Sequence, residues 1–278
     1  MMNIFHSVSE QCSKLTTEAY STSFASAIRL LHKDLRTPIY NIYGFVRFAD
    51  EIVDTFHDHD KSLLLQQFKI ETFEAIQRKI SLNPILHSFQ QTVNCFKIDI
   101  DLVHAFFTSM EQDLNKIEYN CNSYKEYIYG SAEVVGLMCL YVFCEGEKTV
   151  FESLKPYAQS LGAAFQKVNF LRDIKADSEQ LERMYFPGCS FQHFSQIDKI
   201  KIEEDIQKDF ENAFVGIINL PIKARFGVYV AYKYYLTLFR KIKRINATEI
   251  LNERIRIPNY GKVVIVAKAG LRSQFNML

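Results

Sequence analysis

An all-α fold, a single-domain helical bundle around a central apolar cavity, is what this sequence predicts. Three observations carry that expectation. Helical periodicity runs from end to end, as in IYNIYGFVRFADEIVD from Ile39 to Asp54, with no clean alternation over six residues to mark a strand. Only 10 Gly and 6 Pro punctuate 278 residues, so the helices must be long. Hydrophobic residues make up 48%, with 23 Phe and 15 Tyr but no Trp, which implies a large core or a cavity with aromatic walls.

Helix starts are expected at Thr37-Pro38, Asn83-Pro84, Asp99 to Asp101, Asn122-Ser123 and Lys155-Pro156, the last opening a segment to about Asp177. The segment from Ser178 to Gln192 reads as irregular, with Pro187-Gly188 as a breaker. No linker or change of composition divides the chain, so residues 1–278 read as one domain.

Composition also bounds function. A net charge of +1 gives no basic bias for nucleic acid, and none is expected as a partner. The N-terminus lacks a basic start followed by an apolar core. The longest apolar run, Val134 to Cys144, falls short of the roughly 18 residues that span a bilayer and reads as a buried helix. A cytoplasmic protein is expected. The six cysteines form no C-x-x-C pair, which fits reduced thiols. The run His57-Asp58-His59-Asp60 reads as a solvated loop. Dinucleotide, P-loop, zinc-protease and nucleophile-elbow motifs are all missing from the sequence.

The chemistry concentrates in two places. Asp50 and Asp54 lie four residues apart, on one helix face, and Asp173 and Asp177 repeat the spacing. Like charges so placed repel by on the order of a few tenths of a kcal/mol, a penalty that a bound cation reverses. Mg²⁺ takes hard oxygen ligands and bridges carboxylates to substrate phosphates. Gln166, Asn169, Asp173 and Asp177 fall at i, i+3, i+7 and i+11, one polar stripe through apolar neighbours. Arg47 precedes Asp50 by three residues and Arg172 adjoins Asp173, and the planar guanidinium suits phosphate oxygens.

These residues resemble the squalene/phytoene synthase family along nearly the whole chain, most closely the bacterial carotenoid type. RFADEIVD resembles the first aspartate motif, with Arg47, Asp50 and Asp54. QKVNFLRDIKAD resembles the second, with Gln166, Asn169, Arg172, Asp173 and Asp177. Ser21-Thr22-Ser23-Phe24 is similar to an N-terminal signature whose serines touch diphosphate. YIYGSAEVVG resembles the tyrosine segment, with Tyr127 in the active site, and RMYFP gives Arg183 and Tyr185. Tyr235, and Arg254 in NERIRIP, fit the late tyrosine and arginine. Two departures stand out: Glu51 where Asp is common, and Glu133 where Gly is usual.

The resemblance implies an isoprenoid-synthase-type bundle and a two-step prenyl transfer. Two geranylgeranyl diphosphates would join head to head, through a cyclopropyl diphosphate, to give phytoene. Two farnesyl diphosphates, giving squalene or dehydrosqualene, are the alternative, and a non-catalytic prenyl-diphosphate-binding or assembly protein is the alternative of another class. Tyr127, Arg172, Asp50 and Asp173 carry catalysis in this view. Asp50, Asp54, Asn169, Asp173 and Asp177 hold Mg²⁺, or Mn²⁺, and no NADPH is expected. Ser21, Ser23, Phe24, Ile28, Arg47, Gln166, Asn169, Arg183, Tyr185, Tyr235 and Arg254 bind substrate. Ile28, with small Ala25 and Ala27 beside it, leaves room for a long tail. A monomer or weak homodimer is expected. From Arg254 onward the chain is basic and free of acids, so peripheral contact with the inner membrane is a further expectation.

Overall fold

The computed structural model describes residues 2–115, 119–181, 183–251 and 255–274. Helices follow one another throughout: α1 (Met2–Tyr20), α2 (Thr22–Ile28), α3 (Lys33–Asp54), α4 (Lys61–Arg78), α5 (Pro84–Phe96), α6 (Ile100–Asn115) and α7 (Cys121–Ile128). A π-helical turn, Tyr129–Glu133, joins α7 to α8 (Val134–Cys144). Then come α9 (Lys148–Leu181), α10 (Gln196–Asn219), α11 (Ile222–Lys243), α12 (Ala247–Ile250) and α13 (Asn259–Gln274). Among the described residues no β-strand occurs.

Local chemistry sets several of these starts. Asn83 caps α5, its side chain accepting from Ile85 and Leu86 N–H with Pro84 in the first turn. Asp99 accepts from Asp101 N–H at 3.0 Å at the head of α6. For α7 the cap is Asn120, which forms a capping box with Ser123, so the helix begins slightly before the expected Asn122-Ser123. Asp60, in the exposed His57–Asp60 loop, caps α4 through Leu63 N–H.

Two expected starts are corrected. α3 begins at Lys33, not at Pro38, and α9 at Lys148, not at Pro156. In each case burial outweighs the breaker. Leu35 (1% exposed) packs the turn before Pro38, and Phe151 (6%) and Leu154 (4%) pack the turn before Pro156. α9 also runs on to Leu181, through part of the segment expected to be irregular. Pro187-Gly188 does form a turn, closed by Cys189 N–H on the Phe186 carbonyl at 3.2 Å.

The bundle has two interiors. In the first, Phe45 of α3 stacks on Phe89 of α5 with centroids 3.8 Å apart, and Phe68, Phe106 and Phe107 close round it. α1 seals this side with a hydroxyl stripe, Ser9, Ser13 and Thr17, all at 0% exposure; Ser13 Oγ meets Ser88 Oγ at 2.7 Å. The second interior is a cavity of about 550 Å³ walled by α2, α3, α8, α9, α10 and α11.

The stretch Cys121–Cys144 corrects the length argument made from the Val134–Cys144 run alone. As 24 continuous helical residues it is long and apolar enough, by length and composition, to cross a bilayer. Here 67% of its most apolar window is buried, against α3, α6 and α9. Its Val135, Gly136, Cys139, Leu140 and Phe143 line the cavity while Val134, Leu137 and Met138 face the core. The π turn admits α9 closely: a Cβ at Gly162 would lie 2.5 Å from the Ala132 carbonyl oxygen. All six cysteines are free thiols.

Candidate active site

The two aspartate helices meet at one end of the cavity. Asp50 and Asp54 from the last turn of α3, and Asp173 and Asp177 from α9, line the same mouth. Their mutual charge is legible in their protonation. Burial, then the neighbouring Asp54, pushes the Asp50 carboxyl up to about 8. Burial, then Asp173 and Asp54, pushes Asp177 up to about 7.

The arginines are already engaged. Arg172 binds its neighbour Asp173 through Nε at 3.0 Å and through Nη2. Arg47 bonds Glu51 and lies over the Tyr20 ring at 4.4 Å, with Asp50 4.0 Å from Nη1. Glu51, the departure from the usual Asp, therefore holds Arg47 beside the mouth.

A buried network behind the mouth was not expected from the sequence. Its centre is Asp113 of α6, 6% exposed. Tyr127 Oη donates to its Oδ2 at 2.7 Å, Tyr185 Oη to its Oδ1 at 3.4 Å, and Arg183 Nη1 lies 3.4 Å from Oδ1. Arg183 also donates to Asp54 at 3.1 Å and to the Asp113 carbonyl at 2.5 Å. Its backbone N–H turns back to the Asp177 carbonyl at 3.0 Å, which is how the chain leaving α9 delivers it here. Burial raises Asp113 to about 7 although Arg183 and Tyr127 pull it down. Burial, then Asp113, raises Tyr127 well above the ordinary phenol range. The one signal available was positional: Asp113 continues the buried stripe Phe106–Met110, an acid on an apolar face.

Below the charged mouth the walls are aromatic. Phe165 stacks on Tyr235 at 3.9 Å, Phe24 leans on both, and Tyr127 approaches Phe170 and Tyr185 at 6.0 and 5.2 Å. Tyr43, raised to about 12 chiefly by burial, completes this belt beside Phe24.

Of the residues expected from sequence, Ser21, Phe24, Ile28, Arg47, Asp50, Asp54 and Tyr127 line the cavity, as do Gln166, Asn169, Arg172, Asp173, Asp177, Tyr185 and Tyr235. Arg183 reaches it through Asp54 and Asp113. Ser23 does not line it: Ser21 caps α2 through Phe24 N–H at 3.2 Å, and Ser21, Phe24 and Ile28 share one face, with Ser23 turned away by about 200° from Ser21. Ala25 is buried outside the lining, whereas Ala27 is part of it. Arg254 lies outside the described residues. Glu133, the last residue of the π turn, stays clear of the lining; its Oε2 accepts from Gln159 of α9 at 2.8 Å.

The donor set fits a hard divalent cation. Asn169 Oδ1 is buried without a hydrogen-bond partner, one turn from Asp173. Burial first, and the neighbouring carboxylates second, make Asp50 and Asp177 hold protons that a bound cation would replace. Among the described residues no three His, Cys, Asp or Glu side chains form a cage by themselves. An ion that completes its shell with water and phosphate oxygen, as Mg²⁺ does, suits such a divided set.

An all-helical bundle whose facing aspartate helices cap a long apolar cavity has the layout that a prenyltransferase requires. The family model for squalene/phytoene synthase matches residues 17–200, and the chain belongs to that family. It is 27% identical over 290 residues to a phytoene synthase of Arthrospira platensis, covering 95% of this chain and 93% of the relative. A crystal structure of a dehydrosqualene synthase in complex with ligand superposes with a TM-score of 0.81 at 20% identity, covering 97% and 98% of the two chains. The squalene synthase HpnC from Alicyclobacillus acidocaldarius gives 0.76 at 17% identity, over 87% and 95%. Head-to-head prenyl condensation is the chemistry of this family, and the chain is a prenyltransferase of that kind.

Proposed function

We propose that the enzyme joins two geranylgeranyl diphosphates into phytoene, releasing two diphosphates and consuming no reductant. The C1–O bond of one substrate breaks and its diphosphate leaves. The C2–C3 double bond of the second attacks the C1 cation, and loss of a proton closes a cyclopropyl diphosphate. The second C1–O bond then breaks, the ring rearranges, and a final proton is lost. The observation that carries this reading is the meeting of four carboxylates from α3 and α9 at the mouth of one apolar cavity.

Arg47 and Arg172 bind and orient diphosphate oxygens, each able to make two hydrogen bonds in one plane. Asp50, Asp54, Asn169, Asp173 and Asp177 would hold Mg²⁺ or Mn²⁺, which when bound supplies positive charge to the leaving diphosphate. The faces of Tyr127, Phe165 and Tyr235 stabilise a passing cation without capturing it. Tyr127 Oη, which donates to Asp113, can pass its own proton to that carboxylate as it receives the proton lost in ring closure. The apolar walls exclude water that would quench the cation.

For chain length, Ile28 and Ala27 leave the bore open along α2, which favours the twenty-carbon substrate. The likeness in fold to a dehydrosqualene synthase supports two farnesyl diphosphates as the second reading. Contact of basic α13 with an anionic lipid surface belongs to this proposal too, since substrate and product are both lipid-soluble. Absence from anionic liposomes at every salt concentration would remove that part.

The test is to incubate purified protein and MgCl₂ with each diphosphate, with and without NADPH, and identify the hydrocarbon. Phytoene from the twenty-carbon substrate, in equal yield without NADPH, is expected. A thirty-carbon product in preference would transfer the assignment to the second reading. No diphosphate release from either substrate would make the protein a binder rather than a catalyst.

A further inference from the structure

The cavity has a depth that its own helices measure. α9 lines it from Asp177 at the mouth down to Leu154. At 1.5 Å of rise per residue, the distance from Asp173 to Tyr157 is about 24 Å. The opposite wall runs from Tyr127 through the π turn to Phe143, again about 24 Å, and Phe143 lies at the same end as the start of α9 because only Glu145–Glu147 joins the two helices. On α3, lining runs from Asp54 to Ile39, about 22 Å. Measured down to Tyr157, α9 gives the same depth as the other two walls, and its lining continues one turn further, to Leu154.

A prenyl chain can be laid against that scale. An extended chain advances about 1.2 Å per bond, so an isoprene unit of four bonds covers about 5 Å. Fifteen carbons then reach about 15 Å, twenty about 20 Å and twenty-five about 25 Å, before adding the link to the diphosphate. A twenty-carbon tail hung from the aspartates ends just above Tyr157. The next unit would run into the ring.

Tyr157 has nowhere to retreat on the side of α10. That helix passes it at Gly216, where an added Cβ would lie 2.2 Å from Tyr157 Cβ and 2.9 Å from Cγ. The Gly216 backbone itself is therefore the backstop, and α9 and α10 are further tied by Lys167 Nζ to Asp209 at 2.7 Å. A floor held by backbone contact yields less than one held by a flexible side chain.

We infer that Tyr157, backed by Gly216, is the floor that sets the longest prenyl chain this site accepts: twenty carbons fit above it and twenty-five do not. The inference rests on reading the site as one for prenyl diphosphates. It is distinct from any narrowing by Ile28, which stands only about 10 Å beyond Ser21 along α2.

The experiment uses the full chain and non-hydrolysable prenyl thiodiphosphates of fifteen, twenty and twenty-five carbons, with MgCl₂, titrated by calorimetry. Wild type, Tyr157→Ala and the milder Tyr157→Leu are compared, with thermal melting to confirm that each is folded. Wild type should bind the twenty-carbon probe best and the twenty-five-carbon probe roughly tenfold or more weakly, the scale of a misfit in an apolar pocket. In Tyr157→Ala the ratio of twenty-five- to fifteen-carbon affinity should rise by roughly tenfold, with Tyr157→Leu between the two. An unchanged ratio in a folded variant, with wild type still binding and turning over prenyl diphosphates, overturns the inference alone. No binding of any probe by wild type overturns the reading of the site and this inference with it.

Discussion

The two ends of the cavity are built from opposite materials. At the mouth, Asp50, Asp54, Asp173 and Asp177 crowd like charges together and half-neutralise them with protons and arginine. At the floor, Leu154, Tyr157, Phe143 and Ile217 line the cavity as neutral side chains, with Tyr157 packed closely against Gly216. Mouth residues act through charge that the fold does not need, so replacing them should change chemistry far more than stability. Floor residues act through volume, so replacing them should change selectivity and packing together.

The largest expected effect is at the mouth. Asp50→Asn or Asp173→Asn should lower kcat by a factor on the order of 10³, the size of a lost electrostatic contact in the transition state, while melting within a few degrees of wild type. Removing a repelling charge offsets what the lost hydrogen bonds cost. Near-normal turnover in either variant at saturating MgCl₂ would erase the distinction between the two ends.

Asp113 sharpens the comparison because it belongs to both kinds. It is buried like the floor and charged like the mouth, with Arg183 and Tyr127 as partners. Asp113→Ala should cost about 3 kcal/mol, as expected when one member of a buried ion pair is removed, read by urea denaturation, and should lower kcat as well. Asp113→Asn keeps an acceptor for Tyr127 and should recover part of both losses. A stability change under about 0.5 kcal/mol, the size of a surface substitution, would show that the network is dispensable.

The dependence on pH separates the two ends in the metal-free protein. Asp50, Asp113 and Asp177 bind protons more tightly folded, at about 8, 7 and 7, than at their ordinary 3.8. A group raised in this way contributes stability that is full below its ordinary value and lost as pH climbs through the folded one. In EDTA the melting temperature should therefore fall as pH rises from about 4 to about 8. Cations must displace those protons, so the rise in melting temperature on adding MgCl₂ should be larger at the higher pH. A melting temperature that climbs over this interval in EDTA would contradict the protonation of the mouth.

A smaller effect is expected half-way down. Ile28→Phe narrows the bore below Phe24 and should reduce use of the twenty-carbon substrate more than the fifteen-carbon one, by several-fold in kcat/KM. An unchanged ratio would leave length selection to deeper residues alone.

Much of the mouth was legible before the fold. The stripe Gln166, Asn169, Asp173 and Asp177 shows itself because helix period alone puts short oxygen-bearing groups on one face, and the structure puts all four on the cavity. The rest depended on contacts that sequence spacing does not encode. Pro38 and Pro156 looked like starts because local rules favour proline in a first turn, yet burial of Leu35 and Leu154 extends both helices backwards. α1 buries Ser9, Ser13 and Thr17 and leaves Ile4 (70%) and Leu15 (68%) outside, the reverse of an apolar-inward reading. Asp113 meets Arg183 across 70 residues, and Tyr157 meets Gly216 across a helix crossing.

The most direct test of the central claim, that the facing carboxylates bind diphosphate through divalent cations, uses no hydrocarbon at all. Inorganic diphosphate is titrated calorimetrically into the protein with MgCl₂ and again with EDTA. Binding should require Mg²⁺ and should vanish in Asp50→Asn and Asp173→Asn. Equal affinity in EDTA, or full binding by both variants, would contradict the account at its root.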